Sequence, residues 1–202
     1  MTVRRLGPGA DLRPTRATLA AAFADDPFPV HLQPDRTRRM AMLPSFLGSA
    51  QRHCLRYGEV WATDDAAAVA CWLSPGRTTP STAQMLRSGM VGGTLRLGVG
   101  GLRRLFRLTG RMDAAHHRAV PGPHWYLFLL AVRPDAQGTG LGRAVLQPVL
   151  ERADAEGLPC YLDTHNPANP AFYARSGFQE AAGEVVDGVR FWGLLRPPAP
   201  AG

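Results

Sequence analysis

The chain contains no lysine, only three cysteines in 202 residues, and no apolar run approaching the roughly 18 residues that a bilayer-spanning helix needs. Each absence excludes something. Without lysine there is no Walker loop, GxxxxGK followed by Ser or Thr. Cys54, Cys71 and Cys160 are odd in number, far apart and without CxxC spacing, which argues against a disulfide framework or a zinc site, so buried thiols are expected. The opening MTVRRLGPGADLRP lacks the apolar block of a signal peptide, and a soluble, cytoplasmic protein without membrane contact is expected. The length and 45% apolar content suit one domain, placed at residues 1–196, with PPAPAG (197–202) read as a flexible tail.

All 23 basic residues are arginines, against 16 acids. Seven of them (Arg87, Arg96, Arg103, Arg104, Arg107, Arg111 and Arg118) fall between residues 85 and 118 with Asp113 as the one acid. That stretch supplies +6 of the +7 formal charge, so the basic character is local.

Periodicity gives a mixed α/β order with a βαβ unit in the middle. TVRRL reads as an edge strand. Pro14 to Asp26 reads as a helix stopped by Pro27 and Pro29, and Asp35 to Arg56 as a longer one that Pro44 breaks or kinks. EVWAT and AAAVACWLS form a hairpin around Asp64 and Asp65. Between Gln84 and Met112, Leu95, Val99, Leu102, Leu105, Phe106 and Met112 recur at helical spacing opposite arginines, while Gly92, Gly93, Gly98, Gly100 and Gly101 predict a break. Such a segment is either a lid over an acidic or phosphate-bearing ligand, a membrane-surface helix, or a helix packed by its apolar face with its arginines in water. HWYLFLLAV is a central strand, Thr139 to Glu156 a helix containing Pro148, PCYLDT a strand, Pro170 to Arg175 a short helix and VRFWGLL the last strand.

The stretch AVRPDAQGTGLGRAVL places a glycine-rich turn between strand and helix, where unpaired amides and the helix dipole favour an anion. A dinucleotide fingerprint, GxGxxG, fails because its third glycine position is Arg143. What remains is QxxGxG, made by Gln137, Gly140 and Gly142.

This motif, in LLAVRPDAQGTGLGRAVL, resembles the acyl-CoA signature of the GNAT acyltransferases, and YLDTHNPANPAFYARSGF is similar to their next strand and short helix. ATLAAAFADDP, VWATDDAAAVACWLSP and HWYLFLLAV further resemble the puromycin N-acetyltransferase-like branch in order and spacing, so the resemblance covers most of the chain. It implies the GNAT fold: a mixed, mostly antiparallel sheet of six or seven strands with a splayed parallel pair between strands four and five, flanked by helices. It also implies acetyl-CoA as co-substrate. The pyrophosphate would rest on Gln137, Gly138, Thr139, Gly140, Leu141, Gly142 and Arg143, and the pantetheine arm along Leu130, Ala131 and Val132. Asn169 would touch the CoA arm, and Tyr173 would stand near the sulfur as proton donor.

Acetylating an amine requires removal of its proton, and the base is less defined. Asp163 stands at a strand end where the related branch has LET, with His124 expected nearby and His165 as an alternative. His116 and His117, with Asp113, are assigned no metal, because adjacent residues point to different sides. The acceptor pocket is expected between Asp25–Gln33 and the arginine segment, where Asp25 and Asp26 would attract a cationic amine. Direct acetylation of a small primary amine is therefore the leading expectation; acetylation of a protein or peptide, and a non-catalytic acyl-CoA-binding regulator, are the alternatives. No nucleic acid is expected, since Phe106 is the one aromatic in the basic run. A homodimer is compatible with the sequence. The acceptor, the base, the role of 85–118 and the oligomeric state stay open at this level.

Overall fold

The computed structural model describes residues 2–199; Met1 and residues 200–202 of the expected tail lie outside the described residues. Seven strands form one sheet in the order β1-β2-β3-β4-β5-β7-β6. They are β1 (Val3–Arg5), β2 (Gly58–Thr63), β3 (Ala68–Leu73), β4 (Trp125–Val132), β5 (Cys160–Thr164), β6 (Gln179–Val186) and β7 (Val189–Arg196). All neighbours are antiparallel except β4 and β5, as the GNAT resemblance implies.

Local chemistry explains the helices. The first, α1 (Arg13–Ala22), begins with a proline in its first turn, and α2 (Pro27–Leu32) is capped by Asp26, whose carboxylate accepts from Phe28 N at 3.0 Å. Pro27 and Pro29 were expected only to stop a helix; with Asp26 ahead of it, Pro27 instead starts one, because its missing N–H is an orphan there anyway. Asp35 caps α3 (Arg36–Tyr57), which continues through Pro44, and α7 (Leu141–Glu156) continues through Pro148. Tertiary packing overrides the local cost of both prolines: Met42, Leu43 and Leu47 of α3, and Leu146, Val149 and Leu150 of α7, are core residues.

The basic segment is α4 (Thr82–Ser88), α5 (Met90–Thr94), a 3-10 turn (Leu95–Leu97) and α6 (Gly98–Ala119). Its breaks fall at Gly89 and Gly98, both at positive φ (77° and 66°). The expected apolar stripe is corrected: Leu95, Val99 and Phe106 are exposed, whereas Leu97, Leu105, Leu108 and Ala115 are buried. The turn at Gly98 resets the helical phase, so residues before and after it do not share a face.

One sheet face packs against α1 and α3 through Leu19, Leu43, Leu47, Val60, Val69 and Cys71. The other packs against α7 and α8 (Asn169–Ala174) through Trp72, Leu127, Leu146, Val149, Leu162 and Phe178. All three cysteines are free and buried. Strand β6, absent from the sequence reading, forms a hairpin with β7 over Asp187 and Gly188, both at positive φ. Of the expected tail, Ala199 N donates to Asp154 at 2.8 Å. No helix among the described residues is long and apolar enough to cross a membrane.

Candidate active site

The centre of the sheet is deliberately incomplete. On β3, Cys71 and Trp72 are consecutive, yet they face Leu129 and Leu127 of β4, so Phe128 is an extra, bulged residue. The parallel pairing of β4 with β5 stops there: only Trp125, Tyr126 and Leu127 meet Cys160, Tyr161 and Leu162. Beyond the bulge β4 pairs with β3 alone, and its edge toward β5 is left without a strand across Leu130, Ala131 and Val132.

Straight after this open edge comes the glycine turn. A 3-10 turn (Pro134–Ala136) leads into Gly138 and Gly140 at φ 78° and 84°, and α7 starts at Leu141. The backbone N–H groups from Gly138 to Arg143 have no hydrogen-bond partner among the described residues; the first closed bond of the helix is Ala144 N to Gly140 O at 3.1 Å. A side chain at Gly138 or Gly140 would meet no atom within 4 Å, whereas one at Gly142 would lie 3.1 Å from Phe172. Gly142 thus permits α7 to approach α8. Gln137 and Thr139 tie the turn back, Gln137 Nε2 to Val132 O at 3.3 Å and Thr139 Oγ1 to Ala136 O at 2.6 Å. Arg143 is exposed at the rim. The cradle and the unpaired strand edge fit a long anionic ligand with an extended, hydrogen-bonding arm.

Across the splay stands Asp163. Tyr126 Oη donates to its Oδ2 at 3.0 Å and Tyr161 Oη to its Oδ1 at 3.1 Å. Burial pushes this carboxyl up to about 7, even though both hydroxyls favour its charged form; nearby Asp113 adds to the rise. Burial and the Asp163 charge raise both tyrosines, which keeps them protonated donors. Neither tyrosine was singled out in the sequence. The signal was present in YLD, since residues two apart on a strand share a face, but the registration of Tyr126 beside Tyr161 needed the fold.

Tyr173, on α8, is buried against Phe172 and Phe178, and its hydroxyl makes no hydrogen bond among the described residues. Burial first, and the charge of Asp26 second, raise its pKa. Asn169 does not cap α8; its Nδ2 donates to Thr164 Oγ1 at 2.8 Å, fixing α8 to the end of β5. His124 is not bonded to Asp163. Its Nδ1 donates to Gly122 O at 2.7 Å and its Nε2 lies 2.7 Å from Nε2 of His116, so both ring nitrogens are engaged. His165 is stacked on Phe28, with centroids 4.8 Å apart, and burial pushes it down to about 4. Asp25 is turned outward to Arg39 at 3.3 Å, whereas Asp26 stays partly buried and its pKa is raised by burial.

Four of the seven arginines of the basic segment are engaged by other parts of the fold. Arg107 and Arg111 pair with Asp187 and Glu184 at 2.8 and 2.6 Å, strapping α6 to the β6–β7 hairpin. Arg96 and Arg104 donate to Ala41 O and Leu32 O at 3.0 and 2.7 Å. His116 is buried and His117 exposed, as adjacency on a helix requires.

Residues 88–178, from the basic segment through the short helix after β5, match the model of the acetyltransferase (GNAT) family. An N-acetyltransferase of Schizosaccharomyces pombe, itself uncharacterised, is 29% identical over 175 residues, covering 83% of this chain and 70% of the relative. The chain is a GNAT acetyltransferase. The GNAT fold recurs in a crystal structure described as histone acetyltransferase HPA2 and related acetyltransferase from Corynebacterium glutamicum, with a TM-score of 0.64, 22% identity and coverage of 99% of this chain and 97% of that one. It recurs also in a polyamine N-acetyltransferase of Drosophila melanogaster, with a TM-score of 0.64, 14% identity and coverage of 97% and 99%. The GNAT family typically uses acetyl-CoA.

Proposed function

We propose that this GNAT acetyltransferase transfers the acetyl group of acetyl-CoA directly to the primary amine of a small molecule. Asp163 carries the reading: a carboxyl held between two tyrosine hydroxyls at the splay, with a pKa of about 7, is a base matched to neutral pH. In the single transfer step the amine lone pair forms the new C–N bond. The carbonyl carbon loses its C–S bond, and sulfur departs with the electron pair. Asp163 takes the amine proton, directly or through a water, and Tyr173 gives its hydroxyl proton to the thiolate. A free N–H at the open edge of β4, at Ala131 or Val132, would hold the oxyanion. When bound, the thioester supplies the activated acyl group; the cradle amides of Gly138–Arg143 and the Asn169 side of α8 would hold the CoA portion.

A small acceptor is favoured by what covers this face of the sheet. Helices α2 and α6 pack on each other and α6 is strapped down by two ion pairs, a closed arrangement unlike the open groove a peptide needs. Partly exposed Phe28, Tyr126 and Phe128, with Asp26 and Asp163, suit a cationic amine on an apolar body, and the nearby arginines are engaged elsewhere. The polyamine N-acetyltransferase among the structural neighbours and the resemblance to the puromycin N-acetyltransferase-like branch agree with a small-molecule amine. Thiol release from acetyl-CoA over a panel of amines and peptides tests the reading. Small amines are expected to support turnover, with kcat/KM rising through an ionisation near pH 7 that Asp163→Asn abolishes. Turnover on peptides alone, or an Asp163→Asn profile identical to wild type, overturns it.

A further inference from the structure

Strand register places Tyr126 directly beside Tyr161, and Asp163 two residues further along β5, so three side chains share one face. The residue opposite Asp163 on β7 is Gly193. A Cβ there would collide with the Tyr161 hydroxyl, so this glycine is what allows the phenol to lie along the sheet and reach the carboxylate. The Tyr161 ring is covered in turn. His116, from the last turn of α6, stacks on it with centroids 4.1 Å apart and planes 7° from parallel. Because His124 Nδ1 donates to Gly122 O, its neutral ring presents Nε2 as an acceptor, and His116 Nε2 must be the donor of the 2.7 Å bond between them. The backbone carbonyl of Gly122 therefore fixes the tautomer of two buried rings in succession.

We propose that Tyr126 and Tyr161 are positioning residues that clamp the Asp163 carboxylate, and that His116, locked by His124, holds Tyr161 in the clamp. The proposal rests on the reading of Asp163 as the base and explains how that base stays ionised in a buried site. Titratable groups lie around the clamp: Tyr126 on β4 and Tyr161 on β5 bond Asp163, Asp113 on α6 acts on its charge, and His116 on α6 stacks on Tyr161 with His124 behind it; β7 contributes the uncharged Gly193. Of these, the two hydroxyls favour the carboxylate and Asp113 opposes it. His116 is pushed down to about 3, by burial before its histidine neighbours, so it stays neutral and stacked across the working range.

Removing one hydroxyl withdraws stabilisation from the charged form and must raise the titration midpoint of Asp163. The test is a 13C NMR titration of the aspartate carboxyls in the full-length protein without substrates, beside pH profiles of kcat and of KM for acetyl-CoA. In Tyr161→Phe and Tyr126→Phe the Asp163 midpoint is expected to rise by about one pH unit, the size of a hydrogen bond to a charged group. The kcat profile should move by the same amount, KM for acetyl-CoA should hold, and most of the rate should return above pH 8. His116→Phe, which keeps a flat ring on Tyr161, should shift the midpoint less than His116→Ala. An unchanged Asp163 midpoint in both tyrosine variants overturns the clamp. A moved midpoint with an unmoved kcat profile keeps the clamp and removes Asp163 as the base, which separates this inference from the proposed function.

Discussion

At the residue scale, the site depends on protons held where burial opposes their loss. Tyr173 is the clearest case: burial raises its pKa and keeps the hydroxyl protonated, as the proposed proton donor to the departing thiolate must be. Tyr173→Phe is expected to lower kcat by about a hundredfold, the lower end for loss of a general acid, while acetyl-CoA affinity stays within about twofold because the ring contacts persist. Stopped-flow thiol release and a calorimetric titration with acetyl-CoA check the two halves. The resemblance carried by NPAFYARSGF nominates Tyr173 and Asn169, and Asp163 is nominated by its place at a strand end. His124 and His165 were nominated on ordinary histidine pKa values, which say nothing of burial. The fold engages both nitrogens of His124, and burial pushes His165 down to about 4, so His124 has no nitrogen to spare and His165 is too weak a base to hold a proton near neutral pH. Residue type alone does not carry that information.

Elements impose the geometry that residues use. At the glycine turn Gly138 and Gly140 adopt positive φ, and the free amides beside them are the proposed cradle for the anion. Gly140→Ala should raise the Kd for acetyl-CoA by about tenfold, the ratio set by 1–2 kcal/mol of left-handed strain, and leave KM for the amine unchanged. Equilibrium binding of acetyl-CoA to the two proteins measures it; equal affinity would show that the turn does not hold the donor. Sequence periodicity located β4, β5 and α7 well, because apolar runs and a glycine stop mark them. It missed β6, where QEAAGEVV exposes most of its residues and is held by pairing with β7, although the Asp-Gly pair at 187 and 188 was a hairpin signal. It also extended one apolar stripe across Gly98, where the backbone changes direction.

For the whole molecule, the concentrated positive charge of residues 85–118 left a lid, a membrane-surface helix and a packed helix with its arginines in water as alternatives. In the fold, Arg107 and Arg111 find the carboxylates of the β6–β7 hairpin, and Arg96 and Arg104 find carbonyls, so much of the charge is spent on holding α6 over the sheet. That pairing is between segments some 70 to 80 residues apart and was invisible along the chain. Acid should test the assembled molecule sharply. His116 and His165 are depressed to about 3 and 4, and His53 and His124 are also lowered, each first by burial. An imidazole whose folded pKa lies below its unfolded value of 6.5 contributes stability above that value and loses it as pH falls toward the folded one. Tm should therefore drop steadily between about pH 6.5 and 4. Replacing His165 by Gln should flatten the slope of Tm against pH in a calorimetric series; an unaltered slope would show that His165 does not take up its proton on unfolding.

The bulge at Phe128 makes the enzyme depend on residue count as well as residue identity. Deleting that one residue would set Leu127 and Leu129 side by side opposite Trp72 and Cys71, so β3 and β4 would pair without interruption and the local bend would be lost. Leu130, Ala131 and Val132 would keep their partners Ala70, Val69 and Ala68, but the strand edge that β5 now leaves free could zip closed. A site that tolerates many substitutions along β4 would thus have no tolerance for a change in its length.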